Sequence, residues 1–236
     1  VGALQATTES VVFPGVSEAA TVILPGAPKE MTLIRSLPFL AIAHTLRAMI
    51  SHDGTAKDLP FVGANGHGSH ARFRNRVWAW IQRWDAGPIP SREDYLKAAA
   101  ALARDSGPGG IWEFPPLMVT ATIDDGLGHG LDVIEGLARG VGARVHRLGL
   151  MKTADWIIDA CIQRQPDLLG LTVLQFDSDT DVARVSMAIP QRTTLVAGGA
   201  SYRYDPGFAE RTGTPVVAQN GVEFLKFLLA YTPQRP

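Results

Sequence analysis

The chain predicts an α/β fold, a parallel sheet of five strands with helices on both faces, preceded by a smaller helical segment. Three observations lead there. After residue 116, apolar runs of strand length recur five times, each followed by a stretch with helical spacing. Such βα repeats form a parallel sheet, because each crossover helix brings the chain back to run in the same direction. The turn-rich segment "DSGPGG" at 105–110 divides this half from a region of different texture. A loop with three glycines and two aspartates, "DDGLGHG" at 124–130, directly follows the first apolar run.

The elements follow in order. Residues 1–32 carry Pro14, Gly15, Pro25, Gly26 and Pro28 among scattered apolar residues and read as an extended N-terminal arm. The run from 33 to 51 is apolar but broken by Arg35, Pro38, His44 and Arg47, so it predicts a buried amphipathic helix and not a membrane span. Helices follow at 69–85 and at 92–104, the second opened by Ser91 as N-cap with Asp94 at its third position. Residues 33–110 therefore form a helical cap and linker, and 111–236 the sheet domain, with "IWEFPP" at 111–116 as a strap between them. Strands are expected at 117–123, 143–149, 168–174, 193–199 and 214–219. Helices are expected at 129–141, 153–165, 179–189, 206–212 and 220–231.

Composition narrows the function. The 236 residues carry a formal net charge of −1 with 19% charged side chains, so no broad positive field invites nucleic acid. The single cysteine, Cys161, excludes an internal disulfide framework, a cysteine-based zinc site and a self-contained iron–sulfur cluster, and suits a reducing cytoplasm. Ligands of parallel sheets bind beyond the carboxyl ends of the strands, where the 124–130 loop lies. Its glycines permit close backbone approach, and the helix behind it favours a polar or anionic group. It is not a dinucleotide fingerprint: two glycines of that pattern are present, but Asp132 and Val133 stand where it would continue, and no acid closes the second strand, "HRLG".

The carboxyl half resembles the cobalamin-binding domain shared by corrinoid-dependent mutases, methionine synthase and corrinoid methyl carriers. That family's pattern is DxHxxG, 41 residues, SxL, roughly two dozen more and a GG pair. Here Asp125 and Gly130 bound "DGLGHG", residues 131–171 supply the 41, "TVL" stands at 172–174, and Gly198 and Gly199 form the pair. The resemblance implies a Rossmann-like, flavodoxin-like domain and cobalamin as cofactor. It implies a site built from Asp125, Gly126, Leu127, His129, Gly130, Thr172, Leu174, Gly198, Gly199 and Gly221. One position departs from the pattern: the family's cobalt-binding histidine is replaced by Leu127, which cannot ligate a metal. Thr172 replaces the serine and keeps a hydroxyl. A bound corrin would then keep its own base on cobalt, have water or nothing below, or take a histidine from elsewhere.

The resemblance extends to stand-alone light-sensing cobalamin regulators of photosynthesis genes, a related subgroup of which binds haem. It implies a sensory or regulatory protein, with His129, His146 or His44 as candidate metal ligands and a protein partner that is bound or released. Two other readings stay open, a corrinoid-binding subunit of a multi-chain enzyme and a scaffold that has lost the cofactor. Competing accounts attach to other residues. Trp78, Trp80 and Trp84 read as packing or as an aromatic lid over a macrocycle, with packing preferred. His67 and His70 lack a nearby carboxylate or thiol and are weak as a metal site. Asp124, Asp125, Asp177, Asp179 and Asp181 read as helix-start acids before they read as catalysts.

Overall fold

The computed structural model describes residues 68–233. The arm at 1–32, the helix expected at 33–51 with His44, and His67 lie outside the described residues. Strands β1 (Leu117–Thr122), β2 (Arg144–Gly149), β3 (Leu168–Thr172), β4 (Thr194–Gly198) and β5 (Val216–Val217) form one sheet, all neighbours parallel, in the order β2-β1-β3-β4-β5. The sense in which successive strands are added to the sheet reverses at the β1/β3 boundary, the switch point at which such sheets open a crevice. The register sets Thr122 beside Thr172 and Thr172 beside Gly198, so three site-forming positions stand abreast at one end of the sheet.

Alternation along the strands divides the core in two. Met118, Leu168, Val196 and Val216 face Val133 and Leu137 of α3 (His129–Gly140) and Phe224, Leu225 and Leu228 of α8 (Gly221–Ala230). Val119, Ala121, Leu169, Leu171 and Leu195 face the opposite layer of α4 (Ala154–Arg164), α5 (Asp179–Ala188) and the short α6 (Ala200–Tyr204) and α7 (Phe208–Thr212). Cys161 is buried in that layer, and burial pushes its thiol up to about 12, which leaves it inert. The helix expected at 206–212 is thus preceded by an extra one, and the last strand is shorter than expected because β5 pairs only with Val196 and Ala197 of β4.

Helices α1 (Ser69–Asp85) and α2 (Arg92–Asp105) make a further layer on the α3/α8 side, α1 against α8 and α2 against α3. Phe73, Val77 and Ile81 form the buried stripe of α1 at the i, i+4, i+8 spacing of one helix face. The expected Ser91 cap is present as a full capping box, Ser91 Oγ accepting from the Asp94 N–H at 3.2 Å and Asp94 accepting from the Ser91 N–H at 3.1 Å. Trp80 and Trp84 pack on this core with ring centroids 5.4 Å apart, in line with the packing reading, whereas Trp78 is exposed. The strap carries Ile111, whose N–H donates to the Val141 carbonyl at 2.9 Å, and Trp112, whose indole donates to the Tyr231 carbonyl at 2.9 Å. For the described part, the expected division between 33–110 and 111–236 is no break in packing, since one core runs through both.

A charged network joins these layers. Buried Glu135 accepts from Thr120 Oγ1 at 2.6 Å and from Arg139 at 3.0 Å, and Asp132 accepts from Arg92 at 2.6 Å and Arg147 at 2.9 Å. Burial alone would push the Asp132 carboxyl up, but the bonds from Arg147 and Arg92 outweigh it and hold the carboxyl below its usual value. A lowered carboxyl pKa stabilises the fold above its unfolded value of about 4, and that stability is lost as pH falls through the folded value. In urea unfolding, the deficit of Asp132→Asn relative to wild type should be constant above about pH 5 and shrink below about pH 4. A deficit that does not change with pH would mean that the ion pairs contribute nothing.

Candidate functional site

At the carboxyl ends of β1, β3, β4 and β5 the sheet opens into a cleft of about 360 Å³ that runs down between α3 and α8. Asp125, His129, Gly130, Thr172, Leu174, Gly198, Gly199 and Gly221 all line it, so eight of the ten expected binding positions converge although they span almost 100 residues of chain. Its inner wall is apolar, with Val133, Ile134, Val196 and Phe224, and its mouth carries Ile89, Arg92 and Arg203.

The loop after β1 is held by its own acids. Asp125 Oδ1 accepts from the N–H groups of Leu127 at 2.7 Å and Gly128 at 3.0 Å, and Thr122 Oγ1 donates to the Asp125 carbonyl at 2.6 Å. Asp124 reaches across to the loop after β3, accepting from the N–H groups of Leu174 and Gln175, both at 2.9 Å, and from Ser178 Oγ at 2.7 Å. The two carboxylates brace the loops that form the mouth. Asp177 precedes α5, and Asp179 and Asp181 lie in its first turn, where acids suit the helix end.

Two expected positions, Gly126 and Leu127, lie outside the cleft lining. Leu127 is 74% exposed and stands on the rim, where Met151 and Phe176 of the loops after β2 and β3 are also exposed. His146, the second candidate metal ligand, is not among the residues that line the cleft. It sits within edge strand β2 opposite Val119, and burial together with the positive charge of Arg164 at the end of α4 lowers its pKa. It does not reach the cleft, because strand residues three positions short of the carboxyl end cannot touch the crevice beyond it. His70 is likewise committed, its Nδ1 lying 2.7 Å from the Gly110 carbonyl. Among the described histidines, His129 at the start of α3 is the one that lines the cleft. The tryptophans of α1 do not line it, so within the described residues they form no lid.

Backbone packing accounts for two of the glycines. A Cβ on Gly198 would overlap the Ala218 carbonyl oxygen, and one on Gly199, whose φ is +122°, would overlap the Val173 carbonyl oxygen. The pair therefore lets strands and loops meet backbone to backbone and is not simply room for a ligand. Gly130 does border the cleft: a Cβ there would be 3.0 Å from Thr172 Cγ2. The Thr172 hydroxyl, on a residue only 5% exposed, has no hydrogen-bond partner. Sequence reasoning missed Tyr95, Arg92, Arg203 and Asn220, which also line the cleft. Asn220 alone had a local signal, as an N-cap residue: its Oδ1 accepts from the N–H groups of Val222 and Glu223.

No protein-family model and no curated protein matches the chain. Among solved structures it is similar to a cobalamin-binding protein from Desulfitobacterium hafniense DCB-2, with a TM-score of 0.57 and 17% identity over 67% of this chain and 79% of that one. It is also similar to the monomethylamine corrinoid protein of Methanosarcina barkeri (TM-score 0.42, 18% identity, 56% of this chain and 62% of that one). A third likeness is to the methanol:cobalamin methyltransferase complex of the same organism (TM-score 0.48, 18% identity, 70% of this chain and 67% of that one). The first of these likenesses shows the fold: the chain has the five-stranded α/β architecture of a cobalamin-binding protein.

Proposed function

We propose that the protein binds a corrinoid of the cobalamin type, with the nucleotide tail in the slot between α3 and α8, and acts as a sensory or regulatory component. The observation that carries this reading is the Thr172 hydroxyl, buried and unpaired at the carboxyl end of β3 inside that slot. Folded proteins seldom leave a buried hydroxyl unpaired, and a ligand's polar atom would satisfy it. The residues fit the tail: Gly130 and Thr172 at the entrance, and Val133 and Phe224 as apolar walls for a planar base. Haem, the alternative, has no nucleotide tail and leaves this slot without a use.

The chain supplies no lower axial ligand at the family's position, since Leu127 is an exposed leucine on the rim. His129 is the described histidine that borders the cleft and the candidate to meet a metal there. When bound, the group would supply a cobalt–ligand bond that light or reduction can break. What the protein adds is a mouth braced by Asp124 and Asp125, and a link from Arg92 at that mouth through Asp132 to the packing of α2 on α3. A change at the cleft would thereby alter helix packing and the surface offered to a partner protein. Leu127, Met151 and Phe176 are exposed apolar side chains on the loops after β1, β2 and β3, and such a partner, either a regulator or an enzyme subunit, would cover them.

The test is an absorption titration with cobalamin, followed by scattering in the dark, after illumination and after reduction. Binding with a change of shape or oligomeric state supports the sensory reading, binding without one supports the enzyme-subunit reading, and no binding overturns both. Thr172→Val sharpens the test. It removes an unpaired buried hydroxyl, so the ligand-free protein should gain up to about 1 kcal/mol while corrinoid affinity falls about tenfold. Equal affinity in the variant would remove Thr172 from the site.

A further inference from the structure

Tyr95 enters the cleft from α2, outside the five-stranded domain. Its ring is 5% exposed, meets Trp84 edge-on at 5.2 Å, and lies so close to α8 that a Cβ on Gly221 would fall within 2.9 Å of three ring carbons. The ring is therefore held in place before any ligand arrives. Its hydroxyl makes no well-formed hydrogen bond and sits beside the backbone N–H groups of Gly221 and Val222 at the start of α8. The Val222 N–H already donates to Asn220 Oδ1 at 2.9 Å. Amide N–H groups can only offer protons to the phenol oxygen, so the phenol's own proton has no acceptor among the described residues. Burial raises the phenol's pKa and keeps that proton in place. The cleft thus holds two unsatisfied hydroxyls, Tyr95 and Thr172, among the apolar side chains of Val133, Ile134 and Phe224.

We infer that Tyr95 is a specificity-determining residue that donates a hydrogen bond to the tail of the bound corrinoid, selecting tail bases with an acceptor on the outer edge. The inference rests on the corrinoid reading above. A purine presents ring nitrogens at such an edge, whereas dimethylbenzimidazole presents two methyl groups. Methyl groups against the phenol would seal a donor into the complex unpaired, and sites built to hydrogen-bond reject ligands that leave their polar groups unmet.

Affinities are measured by absorption titration with three probes: cobalamin, the analogue with adenine in place of dimethylbenzimidazole, and cobinamide, which lacks the tail. Wild-type protein should bind the adenine analogue about tenfold more tightly than cobalamin. In Tyr95→Phe, which keeps the ring and its packing, that preference should fall to within about twofold. Absence of the preference in the wild type overturns the inference while the corrinoid reading stands. Equal loss of affinity for all three probes in Tyr95→Phe assigns the residue a structural role and also overturns it. Failure of the wild type to bind any probe removes the corrinoid reading and the inference with it. The wild-type comparison needs no variant, so the inference stays open to refutation even if Tyr95→Phe fails to fold.

Discussion

Gly199→Val should destabilise the protein by about 3 kcal/mol or more in urea unfolding, through two separate effects. The residue has φ of +122°, a region L side chains rarely enter, and a β-branched residue is the least tolerant of it. Its Cβ would also overlap the Val173 carbonyl oxygen, a backbone atom that cannot swing aside as a flexible side chain could. The chain leaving β4 would have to move away from the end of β3, where Val173 N–H donates to the Gly198 carbonyl at 2.9 Å. Gly87→Ala is the control, because the nearest atom to a Cβ there is 3.8 Å away, and it should change stability by no more than about 0.5 kcal/mol. A loss below about 1 kcal/mol for Gly199→Val would mean that the loop after β4 relaxes freely and that the glycine pair is not structural.

The second large effect is expected at Phe224→Ala, at about 3–5 kcal/mol. Phe224 is 1% exposed on α8 and belongs at once to the core under the sheet and to the inner wall of the cleft. Truncation forfeits the ring's burial, and Tyr95, which shares the same core and cleft, is itself locked by packing against Gly221 and Trp84. Collapse into the void should therefore be incomplete, and the cavity cost should stay near the upper end of the range. The same deletion widens the slot, so corrinoid affinity should drop as well as stability. Full stability with lost binding would place the side chain in the cleft alone; lost stability with intact affinity would place it in the core alone.

Periodicity carries much of the fold. Alternating apolar runs and helical spacings need only local physics, so five strands and their crossover helices are legible in order, as are the Ser91 cap and the buried stripe of α1. The short α6 is not legible, because five residues give too little period to read and its position depends on the turn made by Gly199. The site divides in the same way. The glycine loop at 124–130 marks itself locally in a parallel α/β chain, and the resemblance to the cobalamin-binding pattern singles out Asp125, Gly130, Thr172 and the Gly198–Gly199 pair. What those residues do is not written there. Asp124 and Asp125 are braces because the β3 loop offers its amides to one and the loop's own amides turn toward the other.

His146 is excluded from the cleft, and Tyr95 admitted to it, on tertiary grounds alone. Chain order says nothing about which strand lies at the edge of a sheet, nor that α2 would lie across α3 and bring a phenol to the start of α8. Local sequence determined that there would be a parallel sheet with a polar, glycine-rich carboxyl end. Packing between elements distant in the chain decided which side chains meet there, because those contacts arise from the burial of faces on separate helices and leave no periodic trace in either one.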